Sequence, residues 1–89
     1  ALQQNYPNPF NPSTQIRYSL PISSNVKVVV YNMLGSKVRT LYNGNQDAGY
    51  RSFIWNATND NGDPVAAGMY IYTIEADGYF ASKKMILLK

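Results

Sequence analysis

The sequence predicts an all-β protein, an immunoglobulin-like antiparallel β-sandwich of six to seven strands, and three observations carry that prediction. Tyr occurs eight times in 89 residues, with Val and Ile also frequent, and these side chains suit a pleated, half-buried surface. Apolar and polar residues alternate in several short runs, the period of a strand with one face inward. Gly and Asn punctuate those runs at intervals of roughly eight to twelve residues, as a sandwich requires. No stretch sustains an apolar repeat at helical spacing.

Residues 1–13 are read as an extended Pro/Asn-rich entry segment and residues 14–89 as the sandwich. Within the entry, Tyr6, Pro7, Asn8, Pro9, Phe10, Asn11 and Pro12 place three prolines close together. Each proline fixes φ and removes a backbone donor, and each residue before one is pushed toward extended geometry. The segment should therefore be stiff and should not form a ladder. Tyr6 and Phe10 are spaced to drop onto one apolar surface, which makes the segment a strap across the sandwich edge. A flexible linker has little use for two aromatics.

Thr14 to Leu20 alternates, with Ile16, Tyr18 and Leu20 on one face and Gln15, Arg17 and Ser19 on the other. Pro21 closes this strand and Ser23-Ser24-Asn25 makes the turn. Val26 to Met33 is apolar on both faces, Val26, Val28 and Val30 on one and Val29 and Tyr31 on the other, so it belongs in the middle of a sheet. Gly35 supplies the positive φ for a reversal at Leu34-Gly35-Ser36. Val38 and Leu41 anchor a return strand from Lys37 to Tyr42. Asn43-Gly44 reads as a second turn and the polar stretch to Gly49 as a loop.

Tyr50 to Asn56 alternates again and sets Phe53 and Trp55 on one face, where the single Trp serves as a core plug. Thr58 to Pro64 is a loop. Met69 to Asp77 places Tyr70, Tyr72 and Ile74 on one face. Asp77-Gly78 is a two-residue hairpin turn, which folds a final strand, Tyr79 to Lys89, against its neighbour. In that strand Met85 and the run Ile86 to Leu88 should hold the backbone in place.

The composition excludes several functions. With no Cys and no His, there is no thiol nucleophile, no cysteine metal site and no imidazole base. Five scattered carboxylates offer no nucleophile and base pair, so the chain is not read as an enzyme and no cofactor is implied. The net charge of +3 is spread along the chain, whereas a nucleic-acid footprint is clustered. Apolar runs fall far short of the roughly 20 residues of a membrane-spanning helix, so direct membrane insertion is not expected.

Asp60 and Asp63 flank Asn61-Gly62 in an oxygen-rich loop and are calcium candidates, hard cations preferring oxygen ligands. The spacing of an EF-hand is absent and no Glu closes the site, and Asx residues with Gly also make any tight turn. Asn56-Ala57-Thr58 fits the glycosylation sequon. The chain opens on Ala1 without a signal peptide, which suggests a piece of a longer protein.

Leu2 to Thr14, then Val30-Tyr31-Asn32 with Gly35, Val38 and Leu41, Gly49 with Trp55, Gly62, Gly68, Tyr70 and Lys84-Met85-Ile86-Leu87-Leu88-Lys89 together resemble a known family. It is the type A C-terminal sorting domain of the type IX (Por) secretion system. The chain is also similar to the immunoglobulin-like domain of the flagellar hook capping protein. The resemblance covers essentially the whole chain, and its strongest part is the joint presence of the Tyr6 to Pro12 opening and the Lys84 to Lys89 ending.

What the resemblance implies is a non-catalytic domain at the C-terminus of a secreted cargo protein. Members cross the periplasm in transit, are recognised at the outer membrane by the type IX machinery, and reach the cell surface or exterior. A sortase-like peptidase often removes them, and the cargo can be joined to surface lipopolysaccharide. Recognition would fall on Lys84, Met85, Leu87 and Lys89, with Gly68 and Tyr70 as framework, and cleavage upstream of the Tyr6 to Pro12 motif. A terminal strand at a sheet edge can be read through main-chain hydrogen bonds, with lysines steering the encounter.

Two rivals stand beside this reading. A carbohydrate-binding module of a secreted glycosidase would show an exposed aromatic row on one sheet. A hook capping or purely structural domain would depend on assembly regions upstream.

Overall fold

The alternating runs become six strands in two antiparallel sheets, seen in a computed structural model that describes residues 1–88. The strands are β1 (Thr14–Leu20), β2 (Ser24–Asn32), β3 (Lys37–Gln46), β4 (Gly49–Trp55), β5 (Gly68–Ala76) and β6 (Tyr79–Leu87). One sheet pairs β1 with β4, and the other has the order β3-β2-β5-β6. The inward sides of both meet in one core of Ile16, Tyr18 and Leu20, Val26, Val28 and Val30, Trp55, Tyr70, Tyr72, Ile74, Met85 and Leu87. Each such side chain contributes roughly 1.5–3 kcal/mol through burial, which this small domain needs in place of disulfides. As the two-faced apolar pattern predicts, β2 lies between β3 and β5, and Val29 is buried although it faces outward.

One turn is misplaced by local sequence. Asn43-Gly44 lies inside β3, paired with Lys27 and Val26 of β2, and the reversal falls instead at Asp47-Ala48, with Gly49 at φ 133°. Ladder bonds to a central strand outweigh the turn preference of the Asn-Gly pair. A Cβ at Gly44 would meet the Tyr42 hydroxyl oxygen at 3.4 Å, a close but ordinary contact with a side-chain end, and that hydroxyl donates to the Asn45 carbonyl.

The entry segment is a strap, and it grips both sheets. It first runs antiparallel to β1: the Ser19 amide donates to the Ala1 carbonyl, the Gln3 amide to the Arg17 carbonyl, and Tyr6 and Gln15 exchange both backbone bonds at 3.0 and 2.8 Å. It then crosses to β6, where the Phe10 amide donates to the Ile86 carbonyl (2.9 Å) and the Leu88 amide to the Phe10 carbonyl (2.8 Å). The pairing amounts to isolated bridges, not a ladder. The peptide bonds before Pro7, Pro9 and Pro12 are cis.

Tyr6 and Phe10 do not share a landing surface, contrary to the spacing argument. Phe10 is 1% exposed and Tyr6 71%. Pairing with Gln15 turns the Tyr6 side chain to solvent, while Phe10, beyond the prolines, drops beside Leu87 into the core.

A buried polar knot fixes the strap from below. The Asn5 amide donates to the Tyr72 hydroxyl, which donates to the Gln3 carbonyl, both at 2.7 Å. The Asn5 side-chain amide reaches Thr14 Oγ1 at 2.9 Å and the Pro7 carbonyl at 3.2 Å. Burial pushes the Tyr72 hydroxyl up to about 12, and burial does the same to Tyr18, which donates to Gln46.

Because the fold favours the neutral phenols, their contribution is complete below pH 10, the ordinary Tyr value, and is lost as pH rises from there through about 12. The thermal midpoint should therefore be insensitive to these groups up to pH 10 and fall above it, and Tyr72→Phe should shrink the fall. A midpoint of wild type that stays level through pH 12 would contradict this account.

Candidate functional site

The geometry of the closing strand is set by the Asp77-Gly78 turn. Gly78 adopts φ 73°, Ala76 pairs with Tyr79, and the register then runs without a slip to Gly68 opposite Leu87. Alternation follows: Met85 and Leu87 turn inward at 0% and 3% exposure, and Lys84 turns to solvent. Ile86 (38% exposed) and Leu88 (50%) also face out. The expectation that Ile86 to Leu88 holds the strand as a block is therefore corrected, since a strand can bury only every second residue of such a run. Lys89 lies outside the described residues.

The framework residues lie directly beside the motif. Tyr70 is opposite Met85 and Gly68 opposite Leu87. The Tyr70 ring meets Trp55 edge-on at 5.3 Å, and its hydroxyl donates to the Ala66 carbonyl at 2.5 Å. Phe10 lies 5.8 Å from the same Trp. One aromatic cluster thus supports the closing strand from beneath.

The entry motif joins the site from the side. The Asn8 Oδ1 accepts from the Ile86 amide at 3.0 Å, across 78 residues of sequence. Gln4 Nε2 donates to the Lys84 carbonyl at 2.8 Å. Together with the two Phe10 bonds, these occupy the outer edge of β6 from Lys84 to Leu88. Tyr6, Pro9, Asn11 and Pro12 remain on the surface, and the Pro7 carbonyl accepts from Thr14 Oγ1.

This alters how the strand can be read. Main-chain recognition by an added strand is closed where it was expected, because the chain's own strap already fills that edge. The free edge of β6 is its first half, where the Phe80 and Ser82 backbone groups face away from β5 by alternation. Amide exchange should reflect the difference: slow at Ile86 and Leu88, fast at Phe80 and Ser82. Asn8→Ala should accelerate Ile86 by about tenfold, the equivalent of one hydrogen bond worth ~1–1.5 kcal/mol. Equal exchange along the whole edge would rule out the strap as its cover.

Sequence reasoning missed Gln4 and Asn5, whose roles depend on partners more than 65 residues away and leave no local signal. Of the calcium candidates, Asp60 is engaged within the fold. Asp60 Oδ1 accepts from the Thr40 amide at 2.9 Å and lies 3.9 Å from Arg39 Nε. Asn59 organises the loop, its Oδ1 accepting from the Asn61 and Asp63 amides. Among the described residues no three acidic side chains gather as a metal group.

The aromatic platform of a carbohydrate-binding module is not on the surface. Tyr18, Trp55, Tyr70 and Tyr72 are core and Phe53 packs against it. Of the exposed aromatics, Tyr6 and Tyr50 stand at opposite ends of β1, beside Gln15 and Ser19, and Tyr79 and Phe80, consecutive in β6, point to opposite faces of the other sheet.

Residues 11–79 match the model of the FlgD Ig-like domain. The chain belongs to that family. FlgD Ig-like domains are structural and non-enzymatic. FlgD from P. aeruginosa is 29% identical with a TM-score of 0.64, over 84% of this chain and 60% of that one. PorU from Porphyromonas gingivalis is 22% identical with a TM-score of 0.73, over 98% of this chain and 9% of PorU. PorZ from the same organism, a surface component of the type IX secretion system, is 20% identical with a TM-score of 0.62, over 97% of this chain and 11% of PorZ. PorU and PorZ thus share the fold, and this FlgD Ig-like domain spans a part of each of these three proteins. No curated protein matches the sequence.

Proposed function

We infer that this Ig-like domain is a non-catalytic sorting signal that directs a secreted bacterial cargo through the type IX system to the cell surface or exterior, after passage through the periplasm. The observation that carries this reading is the joining of the two terminal motifs. Asn8 and Phe10 of the entry are bonded to Ile86 and Leu88 of the closing strand, so the two stretches on which the family resemblance rests form one surface feature. The shared fold of PorU and PorZ supports it, because that architecture occurs in a type IX surface component. Lys84 is the outward residue of the motif, Met85 and Leu87 hold it in place, and Gly68 and Tyr70 support it from β5. The partners are the type IX machinery, its sortase-like peptidase and a cargo domain preceding Ala1.

A second reading, a structural domain of the kind found in FlgD, is favoured by the family match. Fusion of residues 1–89 to a periplasmic reporter in a type IX secreting host separates the two. Export of the reporter is expected. Retention in the periplasm, with the domain shown to be folded, would favour the structural reading and count against sorting.

A further inference from the structure

With the edge of β6 covered from Lys84 to Leu88 and Met85 and Leu87 inward, what this half of the closing strand offers is the outward face around it. The register defines that face. Tyr31 of β2 lies opposite Ile71 of β5, and Ile71 opposite Lys84 of β6. One step along, Met69 lies opposite Ile86. Met69 and Ile86 are 39% and 38% exposed, and Ile71 and Tyr31 are half-buried, so four apolar side chains adjoin on a solvent-facing sheet. On the β3 side Tyr31 is opposite Lys37. The apolar centre is thus bounded by Lys37 at one end and Lys84 at the other, three strand spacings apart, or about 14 Å.

Charge distinguishes this end of the face from the other. Toward the Asp77-Gly78 hairpin, Lys27 is directly opposite Glu75, and the two offset each other. At the closing end neither lysine has a carboxylate side chain opposite it. The five acidic residues of the chain are Asp47, Asp60, Asp63, Glu75 and Asp77, and none lies on these rows.

We propose that the outward face formed by Met69, Ile71, Ile86 and Tyr31 docks a partner surface whose apolar side chains lie between two carboxylate groups, which meet Lys37 and Lys84. This rests on the sorting reading for the identity of the machinery that carries the partner. The apolar centre supplies affinity by desolvation, and the flanking lysines supply orientation and encounter rate, so binding weakens with salt. Recognition is then spread over three strands and cannot be reproduced by the terminal residues as a linear peptide.

Two readouts test it. In the reporter fusion, Met69→Ser with Ile86→Ser, and separately Lys37→Glu with Lys84→Glu, should each cut export at least tenfold. Ile54→Ser, on the exposed face of the other sheet, should export as wild type. Unfolding midpoints establish that each variant is folded. Folded patch variants that export normally overturn the proposal.

The second readout is independent of export. A peptide containing Asp-Thr-Leu-Thr-Asp, whose extended form sets a leucine between two aspartates about 14 Å apart on one face, titrated at low salt into the isotopically labelled domain, should give saturable shifts at residues 31, 69, 71, 84 and 86. High salt and the Lys→Glu pair should both abolish them. Shifts at the β1–β4 face, or none at millimolar peptide, overturn the proposal. A wild-type fusion retained in the periplasm sinks the sorting reading, and the titration then decides the surface alone. Self-association of the wild type that the Met69/Ile86 change abolishes would assign the face to a second copy of the chain, which also overturns it.

Discussion

Phe10→Ala will lower the unfolding free energy by about 3–5 kcal/mol, the range for truncating a fully buried aromatic. The ring is 1% exposed and sits against Trp55 at 5.8 Å, so the change opens a cavity where strap, β4 and β6 meet. Total stability of a domain is only about 5–15 kcal/mol, and the thermal midpoint should drop by roughly 15 °C or more. The loss should be accompanied by faster amide exchange at Leu88, whose partner is the Phe10 carbonyl. Urea unfolding gives the number directly. A loss under about 1 kcal/mol would mean that the strap is peripheral to the core.

Met85→Ala and Lys84→Gln should separate folding from recognition within one motif. Met85 is fully buried opposite Tyr70, and its truncation should cost about 2–4 kcal/mol. Lys84 is exposed and makes no ion pair among the described residues, and its neutralisation should stay within ~0.5 kcal/mol of wild type. Export should fall in both, but only for Met85→Ala should it recover at a temperature low enough to refold the variant. If Lys84→Gln is exported as wild type, the charge is not read. If Met85→Ala is as stable as wild type, the inward half of the motif is not structural.

The sheet order was legible where burial alone dictates the pattern. The Val26 to Tyr31 run had to be central because both its faces are apolar, and it is. Tyr70, Tyr72 and Ile74 alternate inward, and Trp55 plugs the core. What was not legible depends on partners distant in sequence. Asn43-Gly44 looks like a turn until β2 claims it as ladder. Tyr6 and Phe10 are equivalent as letters, and the Gln15 pairing sends one to solvent. Asn5 is a polar residue in a proline-rich stretch, and nothing local says that its amide meets Tyr72. At the candidate site the outward Lys84 was picked out in the sequence, but the apolar rows beside it exist only once β2, β5 and β6 are in register.

The strap bonds also bear on when the surface comes into being. Asn8 to Ile86 and Gln4 to Lys84 close loops of 78 and 80 residues, nearly the full sequence. Contacts of such separation form late, because the chain between them must be ordered first. A polypeptide stalled with β5 undocked displays the terminal letters without the assembled face, since Tyr31, Ile71, Met69 and Ile86 adjoin only when β2, β5 and β6 are in register. Docking there would report that β2, β5 and β6 have come into register, so a partner of that face would sense the folded domain and not the letters of its sequence.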